Sequence, residues 1–330
     1  MILIEKIKRV IERPERLLLG IQLRWAHYFN NQKLLVEALY YLQIGHKLDL
    51  VNPKTFTAKT QWLKVYDHNP LYHKMVDKHL VKDYVSSIVG EEYVIPTLGI
   101  WDAFDDIDFD KLPSRFVLKT TNGGGNTGVV ICKDKTQFNF FEAKVKLEAS
   151  MKNDIYKSLG EWVYKGITPR IIAEQYMEDI DTRTNSVKDL VDYKFWCFNG
   201  VPTYLFYASN RQNCEHKPPY FDYFDMNLNK LPIKSKGHEN SAVKTLNIAC
   251  FEEMKRIAAR LSQNIPFVRV DLYQICGKVY FGELTFYHDS GLVPFEPQDW
   301  DEKIGRLLQL PNMGGVKSLN LIRSQYAMAA

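Results

Sequence analysis

Residues 1–50 carry a helical pattern, and within them KLLVEALYYL (Lys33 to Leu42) is apolar on nearly every side, which predicts a buried helix. Asn52-Pro53 breaks that region. FTAKTQWLKVYD (Phe56 to Asp67) resumes the helical period, and LYHKMVDKHLVKDYVSSIVG predicts one further helix stopped by Gly90. YVIPTLGIWD then predicts a short strand. FVLKTTNGGGNTGVVICKD (Phe116 to Asp134) is a strand-like run, a glycine-rich loop and a second strand-like run. A helix over Gln137 to Met151 and a strand RIIAEQY (Arg170 to Tyr176) follow.

DLVDYKFWCF and VPTYLFYAS flank Asn199-Gly200, the strongest short hairpin signal in the chain. Asp222 to Pro232 is rich in loop formers, ACFEEMKRIAARLSQ is an amphipathic helix, and FVRVDLY and VYFGELTF are two more strands around Gly277. Helices, a strand-rich flap and a mainly antiparallel final sheet define an α+β chain in three lobes. The expected segments are a helical extension over 1–50, an N-terminal lobe over 51–111, a flap lobe over 112–175 and a C-terminal lobe over 176–330.

Composition narrows the function. With 330 residues, 45% hydrophobic and 25% charged, the chain has ample material for a core, and a net charge of +4 is too small to imply nucleic acid. Five scattered cysteines without a CxxC pair argue against a disulfide framework or a zinc site and for a reducing compartment. No apolar run has the length of a membrane span, and the N-terminus lacks the apolar core of a signal peptide, so the expected location is the cytoplasm. The first stretch mixes Ile and Leu with Lys6, Lys8, Arg9, Arg13, Arg16 and Arg24. A basic helix of this kind either packs on its own domain or lies on an anionic membrane surface, here the inner face.

Two stretches carry chemistry. In the first, Lys119 precedes the glycines and a strand follows them, unlike a P-loop or a dinucleotide fingerprint, where glycines open a helix. Such a loop is either a hairpin turn or a flap whose backbone N–H groups approach phosphate oxygens. In the second, alternation puts Val268, Val270 and Leu272 on one face and Arg269, Asp271 and Tyr273 on the other. A three-residue loop at Cys276-Gly277-Lys278 would pair Ile275 with Val279 and set Asp271 opposite Glu283, with Thr285 on the same face. Carboxylates directly across a strand pair destabilise by a few tenths to about 1 kcal/mol. A bound Mg²⁺ would offset that, because hard cations take oxygen ligands; the alternative is neutralisation by Arg269 and nearby lysines.

The order of these pieces resembles the ATP-grasp superfamily. NPKTF…QWLK, Asp77-Lys78, FVLK, DYKFWCFNG and FGELTFY resemble more closely its teichuronopeptide-biosynthesis (TupA-like) branch of bacterial polysaccharide clusters, from about Asn52 to Pro297. The resemblance implies an ATP-grasp fold with the nucleotide between the flap lobe and the C-terminal sheet. It implies phosphate contacts from Lys78, Lys119 and Lys194 under a flap of Gly123, Gly124 and Gly125. It implies adenine held along Glu174, Gln175, Tyr176 and Met177, Mg²⁺ on Asp271, Glu283 and Thr285, and Arg269 stabilising charge on the transferred phosphoryl group. Many ATP-grasp enzymes have asparagine where Thr285 stands, and the branch often carries a histidine in the flap, where this chain has Thr121-Asn122-Gly123.

The implied reaction is ATP-dependent ligation. A carboxylate, in this setting a uronic acid, is activated as an acyl phosphate, attacked by an amine, and ADP is released. Tyr287 to Gly291 would face the acceptor, with His288 deprotonating the amine. A nucleotide-sugar glycosyltransferase and a non-catalytic nucleotide-binding scaffold are the rival readings.

Overall fold

The computed structural model describes residues 25, 26, 28–124, 127–181, 186–188, 190–209 and 219–312. The basic stretch before Trp25 and Gly125 of the flap lie outside the described residues. The chain divides into two compact units. One comprises 1–69, 156–162 and 287–330, the other 70–155 and 163–286.

The first unit is helical. Helix Gln32–Ile44 starts at an Asn31 cap, whose side chain accepts from Leu34 N, and stops at left-handed Gly45. Helix Phe56–Tyr66 is capped by Thr55 and buries most of its surface, including Thr57, Thr60, Gln61 and Lys64. Asp301, on helix Asp299–Leu307, accepts from Thr57 N at 2.9 Å and Thr57 Oγ1 at 2.6 Å, which satisfies buried polar groups on both helices.

The second unit holds two antiparallel sheets. The smaller runs in the order Thr97–Trp101, Ile171–Gln175, Phe116–Thr120, Val129–Cys132. Alternation sends Phe116, Leu118, Ile171 and Ala173 into a core covered by Ala143 and Leu147 of helix Phe140–Met151, and leaves Lys119 and Glu174 on the other face. The larger sheet runs in the order Lys230–Leu231, Tyr220–Phe224, Val201–Ser209, Asp192–Phe198, Phe267–Ile275, Lys278–Thr285. Helix Phe251–Leu261 packs on it, with the Phe251 ring stacked on Phe195 at 5.8 Å.

Three expectations need correction. The helix expected to run unbroken to Gly90 is two, Leu71–Val76 and Leu80–Val89. Asp77 adopts an extended backbone and its carboxylate accepts from His79 N and Leu80 N, both at 2.9 Å, so it ends one helix and starts the next. Strand Tyr220–Phe224, paired to Val201–Ser209, runs three residues into the stretch from Asp222 to Pro232 that was expected to be loop. The carboxylate hairpin turns on two residues, not three. Cys276 and Gly277 both have positive φ, as a type I′ turn requires, and Ile275 faces Lys278. A bulge at Gly282 then restores the offset, so Asp271 does face Glu283. A Cβ on Gly282 would crowd the Asp271 carbonyl at 3.1 Å and the Tyr273 ring at 3.0 Å, so glycine suits the bulge.

Candidate active site

The site in the second unit grows from strand register. Across three neighbouring strands, Lys194, Asp271 and Glu283 stand in one row, and Trp196, Arg269 and Thr285 stand in the next. Both faces of the central strand are covered, so this polar row is buried, with Asp271 only 1% exposed. Lys194 Nζ pairs with Asp271 Oδ2 and with Asp192 Oδ2, the latter at 2.5 Å. Arg269 Nε reaches Asp271 Oδ1 at 2.7 Å. Its Nη2 reaches Asp271 Oδ2 at 2.7 Å and Glu283 Oε1 at 3.1 Å. Thr285 Oγ1 donates to Glu283 Oε1 at 3.4 Å.

Arg269 therefore pairs with both carboxylates and offsets the repulsion between them. Its planar fork takes both oxygens of Asp271 at once and still reaches Glu283. Burial works against the charge on Glu283, but Lys78, Arg269 and Lys194 outweigh it and hold its carboxyl at about 2. Burial pushes the Asp271 carboxyl up, although Arg269 and Lys194 pull the other way.

A second ionic group lies on the smaller sheet. Glu174 is buried and its two oxygens take Lys82 at 2.6 Å and Lys119 at 2.5 Å. The two lysines overcome burial and hold the carboxyl below its ordinary value. Glu174 stands on the strand that the resemblance assigns to the adenine, with its side chain paired to the two lysines, while Gln175 is exposed and Tyr176 lies under Arg115 at 5.3 Å. Lys78 links the two groups. Its Nζ donates to the Gly123 carbonyl at the root of the flap, and burial pushes its pKa down while Glu283 on one side and Glu174 on the other pull it up.

His288 belongs to the first unit. It is buried, with Nε2 3.2 Å from Asp289 Oδ2. The residues missed in the sequence are Lys82 and Asp192. Asp192 was within reach, since it stands two residues before Lys194 on one face of one strand.

Among the described residues no group of three His, Cys, Asp or Glu side chains is arranged to hold a metal ion. The donors present are nevertheless hard oxygens. Ionised Glu283, one-third exposed, with Thr285 beside it, has the chemistry Mg²⁺ takes. Asp271 could join only where Lys194 and Arg269 have another anion to face.

The two sheets belong to the ATP-grasp class of α+β folds. The family model described as TupA-like ATP-grasp matches residues 58–309, and the chain belongs to that family. Among curated proteins it is similar to protein H339R of African swine fever virus (isolate Warthog/Namibia/Wart80/1980). The two are 26% identical over 125 residues, 38% of this chain and 35% of the viral protein. Among solved structures it is similar to D-alanine–D-alanine ligase from Helicobacter pylori, with TM-score 0.38 and 16% identity over 72% of this chain and 61% of that one. It is also similar to the ATP-grasp ligase PsnB, with TM-score 0.34 and 9% identity over 84% of this chain and 65% of that one. The chain thus spans about a third of the length of the viral relative and less than two thirds of either ligase. Among the described residues, no helix is long and apolar enough to cross a membrane.

Proposed function

We propose that this protein is an ATP-dependent carboxylate–amine ligase that forms ADP and amidates a uronic acid of a cell-surface polysaccharide or its precursor. The observation that carries the reading is Lys78, a half-buried cation attracted by Glu283 of one sheet and Glu174 of the other, repelled by Lys119, and bonded to the flap backbone. Such an arrangement suits a polyanion that enters between fixed cations.

Lys78, Lys119 and Lys194 bind the phosphates as point charges, Gly123 and Gly124 bring flap backbone close to them, and Arg269 offsets charge on the transferred phosphoryl oxygens. The backbone of Gln175 to Met177 takes the adenine edge. Glu283 and Thr285, with Asp271, would hold Mg²⁺, which supplies Lewis-acid stabilisation of phosphoryl oxygens when bound. As phosphates draw Lys194 and Arg269, Asp271 and Glu283 lose internal counter-ions and would be left able to hold a cation. Closure of the flap keeps water from the acyl phosphate.

The test is incubation with ATP, Mg²⁺, a panel of free and nucleotide-linked uronic acids, and hydroxylamine, which traps an acyl phosphate as its hydroxamate. Hydroxamate with stoichiometric ADP and phosphate is expected. AMP and pyrophosphate would refute the mechanism, and transfer from a nucleotide sugar without ATP would favour a glycosyltransferase.

A further inference from the structure

On the smaller sheet, register sets Glu174 opposite Val117 and leaves Lys119 two places along the same face, within diagonal reach. Lys119 Nζ takes Glu174 Oε2 at 2.5 Å, and the other oxygen takes Lys82 Nζ at 2.6 Å. Lys82 is the more firmly held of the two lysines. It has a second bond, 2.7 Å to the Ile95 carbonyl, and its side chain is less exposed than that of Lys119, 12% against 20%. Its helix, Leu80–Val89, is fastened at both sides. Just before it, Lys78 N donates to the Thr121 carbonyl at the flap root at 3.1 Å, and within it Tyr84 Oη donates to the Leu261 carbonyl at 3.4 Å.

One buried carboxylate thus stands between two cations. Lys119 faces it from the neighbouring strand and Lys82 from the helix, and Lys78 adds its attraction; Thr97, its register partner on the other neighbouring strand, brings no charge. A buried carboxylate with a single cation cannot release it to a ligand without being stranded in the interior, which is far costlier than parting an exposed pair. With two cations it can give up one and keep the other. Lys119 is the one placed to leave, being the more exposed and standing on the strand that runs directly into the glycine-rich loop.

We propose that Lys82 is a positioning residue for nucleotide binding, which holds Glu174 as a carboxylate while Lys119 exchanges it for a phosphate oxygen of the ligand. This rests on the nucleotide-binding part of the ligase reading. The exchange moves one ammonium between two anions. Its hydrogen bond to Glu174 Oε2 breaks, a hydrogen bond to phosphate forms, and no proton changes hands, because Lys82 keeps Glu174 ionised. Without Lys82, Glu174 would either hold Lys119 back or take up a proton from solvent when Lys119 left. Lys82 acts through Glu174 and Lys119, not by touching the ligand.

The experiment measures binding of a non-hydrolysable ATP analogue with Mg²⁺ to the full chain by calorimetry, in the wild type, Lys82→Met, Glu174→Gln and the double variant, with thermal melts to check that each is folded. Lys82→Met should weaken binding roughly tenfold or more, and Lys82→Arg should recover part of the loss. Lys82→Gln, which keeps a donor, serves if Lys82→Met does not fold. The coupling separates positioning from a mere change of charge. Glu174→Gln should tighten binding about tenfold more in the Lys82→Met background than in the wild type, because only there does the carboxylate hold Lys119 back. Binding to Lys82→Met should also take up more protons than binding to the wild type, read from titrations in buffers of different ionisation enthalpy. Its deficit should shrink toward mildly acid pH, as Glu174 protonates and frees Lys119. Wild-type affinity in Lys82→Met, or an equal effect of Glu174→Gln in both backgrounds, would overturn the positioning role and leave the nucleotide reading standing. No binding by the wild type would overturn the nucleotide reading and this role with it.

Discussion

The buried charges of the two units are built on opposite plans. In the second unit, Lys194, Arg269, Asp192, Asp271 and Glu283 form an ionic row in which charges meet directly and Asp271 is gripped by two cations. In the first, one lysine and one carboxylate meet through a serine hydroxyl. A saturated row cannot shed a charge without leaving its partner exposed to the interior, whereas a hydroxyl-linked pair can neutralise itself by moving one proton. The row fixes its charges in place; the pair, Lys64 and Glu161 on either side of Ser290, can hold its proton at either end.

The difference also explains what could be read beforehand. The row rests on strand alternation and two turns, so Lys194, Asp271 and Glu283 could be aligned from the chain alone. The alignment of Asp271 with Glu283 came through compensating errors, since the shorter turn and the unseen bulge at Gly282 cancel. What alternation could not give was the charge pairing. Which oxygen Arg269 would seize depends on packing, and it neutralises a pair for which metal-free repulsion was the alternative. The Lys64 cluster was illegible because its members come from a helix, a connecting segment and a strained turn, with no period relating them. The break at Asp77 was similarly hidden, because a carboxylate capping its own backbone leaves the helical pattern intact.

The sharpest way to break the comparison is to remove the hub of the row. Arg269→Met leaves Asp271 and Glu283 facing each other across the hairpin and should destabilise the nucleotide-free protein by about 3–5 kcal/mol. Denaturant melts read this directly. A loss within the range of an exposed pair, under about 1 kcal/mol, would show that the row is not saturated.

Next in size is the contrast between two lysines with the same expected ligand. Lys119→Ala and Lys194→Ala each remove a charge-assisted contact worth about 1.5–3 kcal/mol, so ATP affinity by calorimetry should fall roughly tenfold or more in both. Ligand-free stability should separate them. Glu174 keeps Lys82 when Lys119 is gone, but Asp192 and Asp271 both lose a buried partner when Lys194 is gone. Unchanged ATP binding in both variants would defeat the phosphate assignment.

Lys64→Met probes the other plan. Glu161 left alone can take up a proton, so the cost should be smaller, about 1–2 kcal/mol, and dependent on pH. Burial raises the folded-state pKa of Glu161 above its unfolded value. Its contribution is therefore fully present below the ordinary carboxylate range and is lost as pH rises through the folded value. The deficit of the variant should grow from acid toward neutrality. Melts in which the deficit shrinks over that range would contradict a proton-sharing pair.

The smallest effect tests the geometry on which the whole row depends. The hairpin turns on Cys276-Gly277, and Cys276 holds φ at 50°, which a cysteine tolerates poorly and an asparagine well. Its backbone N–H donates to Asp179 Oδ1 at 2.8 Å, a bond that substitution of the side chain leaves in place. Cys276→Asn creates the Asn-Gly pair preferred in type I′ turns and should stabilise the protein by about 0.5 kcal/mol. ATP affinity should not change, because the bulge at Gly282 lies between the turn and the row and keeps Asp271 opposite Glu283. A three-residue loop would place Cys276 in a different conformation with no demand for positive φ, and asparagine there would bring no gain. A melting temperature that stays level or falls would therefore count against the two-residue turn, and with it the need for the bulge.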